Sequence, residues 1–508
     1  MKRALSACAV AVLIAVTGCG TQTGTGASDP ASVAPASSLA FASFQIDPQG
    51  PEKAGFDAAF GKLLGADPEA KLGQAFTQAA QTSGKLDYGR DVKPWLGSTL
   101  SAFVTRVGKD GCDYAVLAAS TDDGEAQAAI DKDVAGLNTQ GRSYRGVDYK
   151  VMPDGTVNGV VAHYLVAGTE PAFKRVVDTS KDGNSLANSE QWKSSVSNRG
   201  DSKIGLAYID VKGLLQSLAS GLPGAERLAG PLLIGLLQLH PFVGTLEARD
   251  DKLVGELTSP GTKADPRGPG AASSPLIEAL PADSWLGIAV PDVGATLSKI
   301  ASALKANPLI GAQYSRIVGR IRANTGIDLE KDVLATVGDV GLFIRGTSPD
   351  TVGGGVVVQS PKPGRLARTV HKLPALIRAK SHGQVHVTAR GSGFDLQGPR
   401  MPQALEVRTS DGGVLAAYGA SATRAALHPH GRLGSTSLFQ AAAAALGARP
   451  TLFVSFAPAL QLAAASPHHH DDAHFKQALP HLQHIEYAAV GAVRERNLDV
   501  LRGVLGLR

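Results

Sequence analysis

The succession of apolar and polar positions along this chain occurs twice. Leu39-Ala-Phe-Ala-Ser-Phe-Gln-Ile46 followed by Asp47-Pro48 reads as a strand running into a helix, and Trp285-Leu-Gly-Ile-Ala-Val290 followed by Pro291-Asp292 repeats it. Leu86-Asp-Tyr-Gly-Arg-Asp-Val92 before a strand at 98–107 matches Ile327-Asp-Leu-Glu-Lys-Asp-Val333 before a strand at 339–344. Further on, Leu165-Val-Ala-Gly-Thr169 answers to Ala416-Ala-Tyr-Gly-Ala420, and Ile204-Gly-Leu-Ala-Tyr-Ile209 to Leu452-Phe-Val-Ser-Phe456. Gly244 and Gly491 open the closing strands. The separations from Phe44 to Ile288, Gly168 to Gly419, Ile204 to Leu452 and Gly244 to Gly491 are 244, 251, 248 and 247 residues, a near-constant shift that marks a duplication.

Within each copy a strand leads into an amphipathic helix twice, with paired strands between. Turn signals such as Asp411-Gly412-Gly413 separate neighbouring strands, as antiparallel hairpins require. The predicted class is α+β: two tandem copies of an antiparallel sheet meander with helices packed on one face. Residues 259–275, dense in Gly, Pro and Ser, separate a first repeat domain at 39–258 from a second at 276–508.

The first residues follow another order. Lys2 and Arg3 precede an uncharged, mostly apolar run of thirteen residues, 4–16, too short to span a bilayer, and then Val16-Thr-Gly-Cys19. This is the pattern of a lipoprotein signal peptide, residues 1–18, cut before Cys19. The Cys19 thiol then takes a diacylglyceryl group as a thioether, and stable anchoring needs more than one acyl chain. Residues 20–38 are Gly, Ser, Thr, Ala and Pro with few large apolar residues, and read as a flexible tether with a reach of about 25 Å. With its lipobox and two meander copies, the chain resembles the bacterial envelope lipoproteins grouped as domain of unknown function 3352. The resemblance covers nearly the whole mature chain and implies topology and location, but no site residues.

Charge narrows the partners. The formal net charge of +5 falls to +3 once Lys2 and Arg3 are removed, too little to imply a nucleic-acid partner. Residues 20–275 carry 24 basic and 29 acidic side chains, whereas 276–508 carry 24 and 16. The second half therefore either faces an anionic envelope lipid or polymer, or only distributes solvated charge unevenly. Cys8 leaves with the signal and Cys19 is acylated, so Cys112 is expected to form no internal disulfide and to sit either as a small buried thiol or as a reactive one.

Motifs that carry chemistry are weak. Gly183-Asn-Ser-Leu-Ala187 and Gly419-Ala-Ser-Ala-Thr423 lack the second glycine of a nucleophile elbow. Ser302-Ala-Leu-Lys305 has Ser-x-x-Lys spacing but no Lys-Thr-Gly strand after it. The glycines at 55 and 61 and at 353–355 lack phosphate-loop spacing. His468, His469, His470 and His474 form the one concentration of metal-ligand types: if Asp471 caps a helix, His470 and His474 share a face and hold zinc or copper with His468 or His469, while Pro480 interrupts the helix before His481. The other reading of this stretch is a solvated decoration. Arg365, Arg368 and Lys372, opposite Leu366, Val370 and Leu373, read either as a membrane-surface stripe or as the wet side of a packed helix. No cofactor is expected. The leading expectation is a lipid-anchored, extracytoplasmic binding or scaffolding protein for an envelope lipid, glycan or protein. Its alternatives are an enzyme whose site is dispersed in sequence and a metal-binding lipoprotein.

Overall fold

The computed structural model describes residues 29–71, 73–74, 86–108, 111–196, 203–220, 241–258, 273–307, 310–381, 383–399, 401–465, 473–495 and 498–508. Residues 1–28, which include the expected signal peptide and Cys19, and most of the expected linker lie outside them. The chain divides into two compact units, the break falling within 259–272, and the first unit also takes Arg496–Val500 and Leu507.

The first unit carries strands β1 (Ala40–Gln45), β2 (Leu96–Gly108), β3 (Gly111–Ser120), β4 (Gln140–Tyr144), β5 (Val147–Val151), β6 (Thr156–Val161), β7 (Tyr164–Thr169), β8 (Gly205–Ile209), β9 (Phe242–Arg249) and β10 (Lys252–Thr258). Antiparallel pairing orders them β10-β9-β8-β1-β2-β3-β7-β6-β5-β4. The second unit carries β11 (Ser284–Val290), β12 (Val340–Arg345), β13 (Gly353–Gln359), β14 (His386–Arg390), β15 (Gly393–Gln397), β16 (Leu405–Ser410), β17 (Gly413–Tyr418), β18 (Leu452–Ser455), β19 (Ile485–Glu495) and β20 (Leu498–Leu507). Their order is β20-β19-β18-β11-β12-β13-β17-β16-β15-β14, the same topology strand for strand. In the ladders Phe41 opposes Phe103 and Tyr208, and Gly287 opposes Phe343 and Phe453, so these are equivalent positions.

The helices of the first unit are α1 (Pro51–Leu64), α2 (Asp123–Val134), α3 (Glu170–Asp182), α4 (Glu190–Val196) and α5 (Val211–Ser220). They cover both faces of the sheet: the α+β class with antiparallel sheets stands as expected, and the helix cover extends beyond the one face read from the pattern. Phe103, Leu117, Tyr164 and Val166 pack with Phe173 and Val177 of α3 and Trp192 of α4. Their chain neighbours Ala118 and Leu165 point the other way and pack with Ala126 and Ala129 of α2. Both sides of a central strand such as β3 are apolar, so each needs a cover. In the second unit α6 (Leu276–Ala279), α7 (Val293–Ala306), α8 (Gly311–Thr325), α9 (Pro363–Ser381), α10 (Ala420–Leu427), α11 (Ser437–Leu446), α12 (Phe456–Ala465) and α13 (Ala473–Leu482) follow the same plan. Val370 of α9 lies on the side of Val407 and Ala416, whereas Leu280 and Ile277 crowd Gly287 on the opposite side, where Phe439 of α11 meets Phe453 at 5.4 Å.

A correction concerns the tether. Asp29 caps a short turn by accepting from the Ala31 amide at 3.0 Å, and Ala31, Val33 and Ala34 are buried in the first core. Leu186 N–H donates to Ala34 O at 2.8 Å. Small residues that look compositionally unstructured are here core residues, because a closely packed interior accepts alanine where nothing larger fits. Ser274 is likewise buried and its Oγ receives the Leu276 amide at 3.1 Å, so the end of the expected linker belongs to the second unit.

Candidate functional site

The most regular polar constellation occurs once in each unit. Asp87 Oδ1 accepts from Arg90 N–H at 2.9 Å while its own N–H donates to Asp91 Oδ2 at 2.8 Å. Asp328 and Asp332 repeat this, with Lys331 N–H to Asp328 Oδ1 at 3.0 Å and Asp328 N–H to Asp332 Oδ2 at 2.9 Å. In each case the second carboxylate then holds a helix: Lys132 of α2 donates to Asp91 at 2.6 Å, and Arg365 of α9 to Asp332 at 2.8 Å. Hydrogen bonds from Arg90 and Lys132 push Asp91 well below the usual carboxylate range, and the Asp328 amide, then Arg365, lower Asp332. Carboxylates so held are anchors for the fold, not proton donors.

A cleft of about 720 Å³ opens in the first unit between α1 and the start of β2. Lys53 bridges Asp47 and Asp57 at 3.4 and 3.5 Å, Lys93 pairs with Glu69, and burial, followed by Glu69, raises the Tyr88 phenol. The volume is that of a small-molecule pocket, but its cations are already matched by carboxylates.

The motif residues take structural roles. Lys305 turns to Glu330 at 3.6 Å while Ser302 stands exposed on α7, so the Ser-x-x-Lys pair assembles no nucleophile. Ser185 caps a turn through the Asn188 amide, and Ser421 receives Arg345 Nη1 at 2.6 Å. A Cβ on Gly55 would come 2.5 Å from Ala248 O, so that glycine serves helix-to-strand approach. Leu366 and Val370 are buried, while Lys372 donates to Gly326 O at 2.8 Å: the Arg365, Arg368 and Lys372 stripe is the wet side of a packed helix.

His468 and His470 lie outside the described residues. His474 is on α13, which runs through Pro480 to Leu482 instead of stopping before His481. Proline removes one amide donor, and near a helix C-terminus that loss falls on the last turn only. Among the described residues no three metal-type side chains converge. Cys112 is buried beside Ala40 and Val104 and is disulfide-bonded, its partner lying outside the described residues. This departs from the expectation of no internal disulfide for the chain as it stands before cleavage; the expectation for a chain cut before Cys19 and acylated there is a separate one. Among the described residues no helix is long and apolar enough to cross a membrane.

A family model described as a protein of unknown function, DUF3352, matches residues 4–491. The chain belongs to this family. No curated protein matches it. Among solved structures, crystal form I of TP0453 is similar at 10% identity and a TM-score of 0.26, covering 47% of this chain and 82% of that one. Crystal form III of TP0453 gives 11%, 0.24, 47% and 83%. At such TM-scores the likeness carries no argument for this DUF3352 member.

Proposed function

We propose that this DUF3352 protein is an extracytoplasmic lipoprotein, held to the cell membrane through acylated Cys19, whose duplicated sheets form a non-enzymatic binding or scaffolding body for an envelope lipid, glycan or protein. One observation carries the reading: Lys2 and Arg3, the apolar run at 4–16 and Val16-Thr-Gly-Cys19 stand in the order a lipoprotein peptidase requires. The non-enzymatic part of the reading is supported by Lys305, which turns to Glu330 and leaves Ser302 without a base. Replacing Cys19 with Ala is expected to abolish incorporation of labelled fatty acid and leave the precursor uncut. Unchanged labelling and membrane partition would refute the anchor. Cys8 and Cys19 are the other cysteines of the chain, and cleavage and acylation would remove both as partners, so a free Cys112 thiol in membrane-purified protein is a second readout. Mass spectrometry of co-purified lipid or glycan then tests the binding role.

A further inference from the structure

Helices α7 and α8 expose apolar side chains to an extent unmatched elsewhere in the described chain. Ten large apolar side chains stand exposed among the described residues, and six of them, Val290, Leu297, Ile300, Ile310, Ile317 and Ile321, fall between 290 and 321. Ile300 is 52% exposed and Ile317 57%. They are ordered along the helices. Leu297 and Ile300 are one turn apart, and Ile317 and Ile321 follow Ile310 at seven and eleven residues, the spacing that returns to one side. Of the fifteen residues of α8 only Gly311 is buried, and α7 buries only Gly294 and Ala301. A Cβ on Gly311 would lie 2.4 Å from Lys305 O, and one on Gly294 2.2 Å from Leu334 O and Val337 O. Small residues thus hold the helix pair in place and leave the large ones outside.

The charge around this stripe has one sign. Between 293 and 327 there is no Asp or Glu, but there are Lys299, Lys305, Arg316, Arg320 and Arg322. Lys305 and Arg322 pair with Glu330 and Asp328, each at 3.6 Å. Lys299, Arg316 and Arg320 have no acidic partner among the described residues. The corresponding helix of the first unit differs in both respects: α1 buries Phe56, stacks it with Phe44 and Phe60, and carries Glu52 and Asp57.

We propose that α7 and α8 form a docking surface for an anionic phospholipid bilayer. Isoleucine and leucine side chains enter the headgroup boundary, while the Lys and Arg stems lie along it with their charges at the phosphates. A second copy of this chain is a poorer occupant, because it would bring the same unmatched cations face to face. Each cation near an anionic leaflet is worth roughly fivefold in partition. The surface involves none of the residues of the Cys19 anchor and stands or falls apart from it.

The test places a reporter at Ile317, whose exposure lets Ile317→Trp fold as the parent does. Full-length protein carrying this change is reconstituted into vesicles of brominated phosphatidylcholine with or without phosphatidylglycerol, and the emission of the parent in the same vesicles is subtracted. The expected result is quenching of the introduced indole by brominated lipid, at least about twofold stronger with phosphatidylglycerol and lost when Arg316→Glu/Arg320→Glu is added. Emission untouched by brominated lipid in both vesicle types overturns the proposal. So does a concentration-dependent blue shift without vesicles, which would assign the stripe to self-association. Fatty-acid labelling of Cys19 is scored in the same samples, so failure of the anchor and failure of the docking surface are told apart.

Discussion

Gly168 of β7 lies opposite Ala115 of β3, and at the equivalent pair of the second unit Gly355 of β13 lies opposite Ala417 of β17. Each copy thus holds one methyl at this central pair, on opposite strands. A Cβ on Gly168 would come 2.2 Å from Tyr114 O and 2.7 Å from Ala115 Cα, both backbone atoms inside the sheet that no rotamer change can move. Gly168→Ala must therefore separate β3 from β7, and at the upper end of the overpacking range we expect a loss of about 3 kcal/mol. For a unit of this size that corresponds to roughly 6–12 °C in melting temperature. A Cβ on Gly355 meets Ala416 O, Ala417 Cβ and the Phe343 ring at 3.0 Å, so Gly355→Ala costs about 1 kcal/mol. Ala115→Gly in the Gly168→Ala background removes only the 3.1 Å contact with Ala115 Cβ, and should recover less than half of the loss. Gly141→Ala, with open space around it, serves as control. Thermal unfolding of the full chain by circular dichroism, with urea midpoints, measures all four. A Gly168→Ala melting point within about 2 °C of the parent would refute the close β3–β7 approach.

Glu170 accepts from Tyr149 at 2.7 Å, Lys174 at 2.9 Å and Arg142 at 2.9 Å, which lower it to about 2 from an ordinary value of 4.5. Its stabilisation is complete above 4.5 and lost as the pH falls through about 2, so the difference in melting temperature between the parent and Glu170→Gln should shrink over that window; a pH-independent difference contradicts it. Ala162 and His163 have φ of +48° and +65° in the two-residue turn joining β6 to β7. Ala162→Asn should raise stability by about 1 kcal/mol by relieving left-handed backbone, and a fall in the melting point would count against that turn. On the proposed reading the His468 to His474 stretch is solvated decoration. Calorimetric zinc titration should then give equal heats for the parent and for His470→Ala/His474→Ala, whereas heat in the parent alone would establish a metal site.

The duplication was legible because it is written in apolar spacing, which a repeated topology must keep. The pairs Leu86 to Val92 and Ile327 to Val333, matched as strings, prove to be the same reciprocal Asp turn down to its hydrogen bonds. What escaped is carried by small residues. Ala118, Ala126 and Ala129 bury a second face of the first sheet, yet alanine is too common to mark a face by its period. The exposed stripe of α8 escaped for another reason. Ile310, Ile317 and Ile321 have the spacing of a core helix, and only the structure reveals that they face outward.

Residues 29–38 lead to a last prediction. Val33 is 3% exposed within the first core, and its neighbours Ala31 and Ala34 are fully buried. Replacing it with Asp removes about 2 kcal/mol of apolar burial and places a carboxylate where water cannot reach it, a further several kcal/mol. The expected loss is therefore at least about 4 kcal/mol, large enough to lower the melting point by roughly 8–16 °C. If the segment instead detaches, limited proteolysis will cut within 29–38 while the melting point falls less, so the two measurements together fix how firmly it is held. An unaffected variant would return the start of the domain to Leu39 and restore a nineteen-residue tether. With the segment packed, only nine residues, 20–28, separate Cys19 from Asp29, and their composition gives a reach of about 16 Å instead of about 25 Å. On the proposed anchoring, the first unit is then held closer to the headgroups than a nineteen-residue tether would hold it.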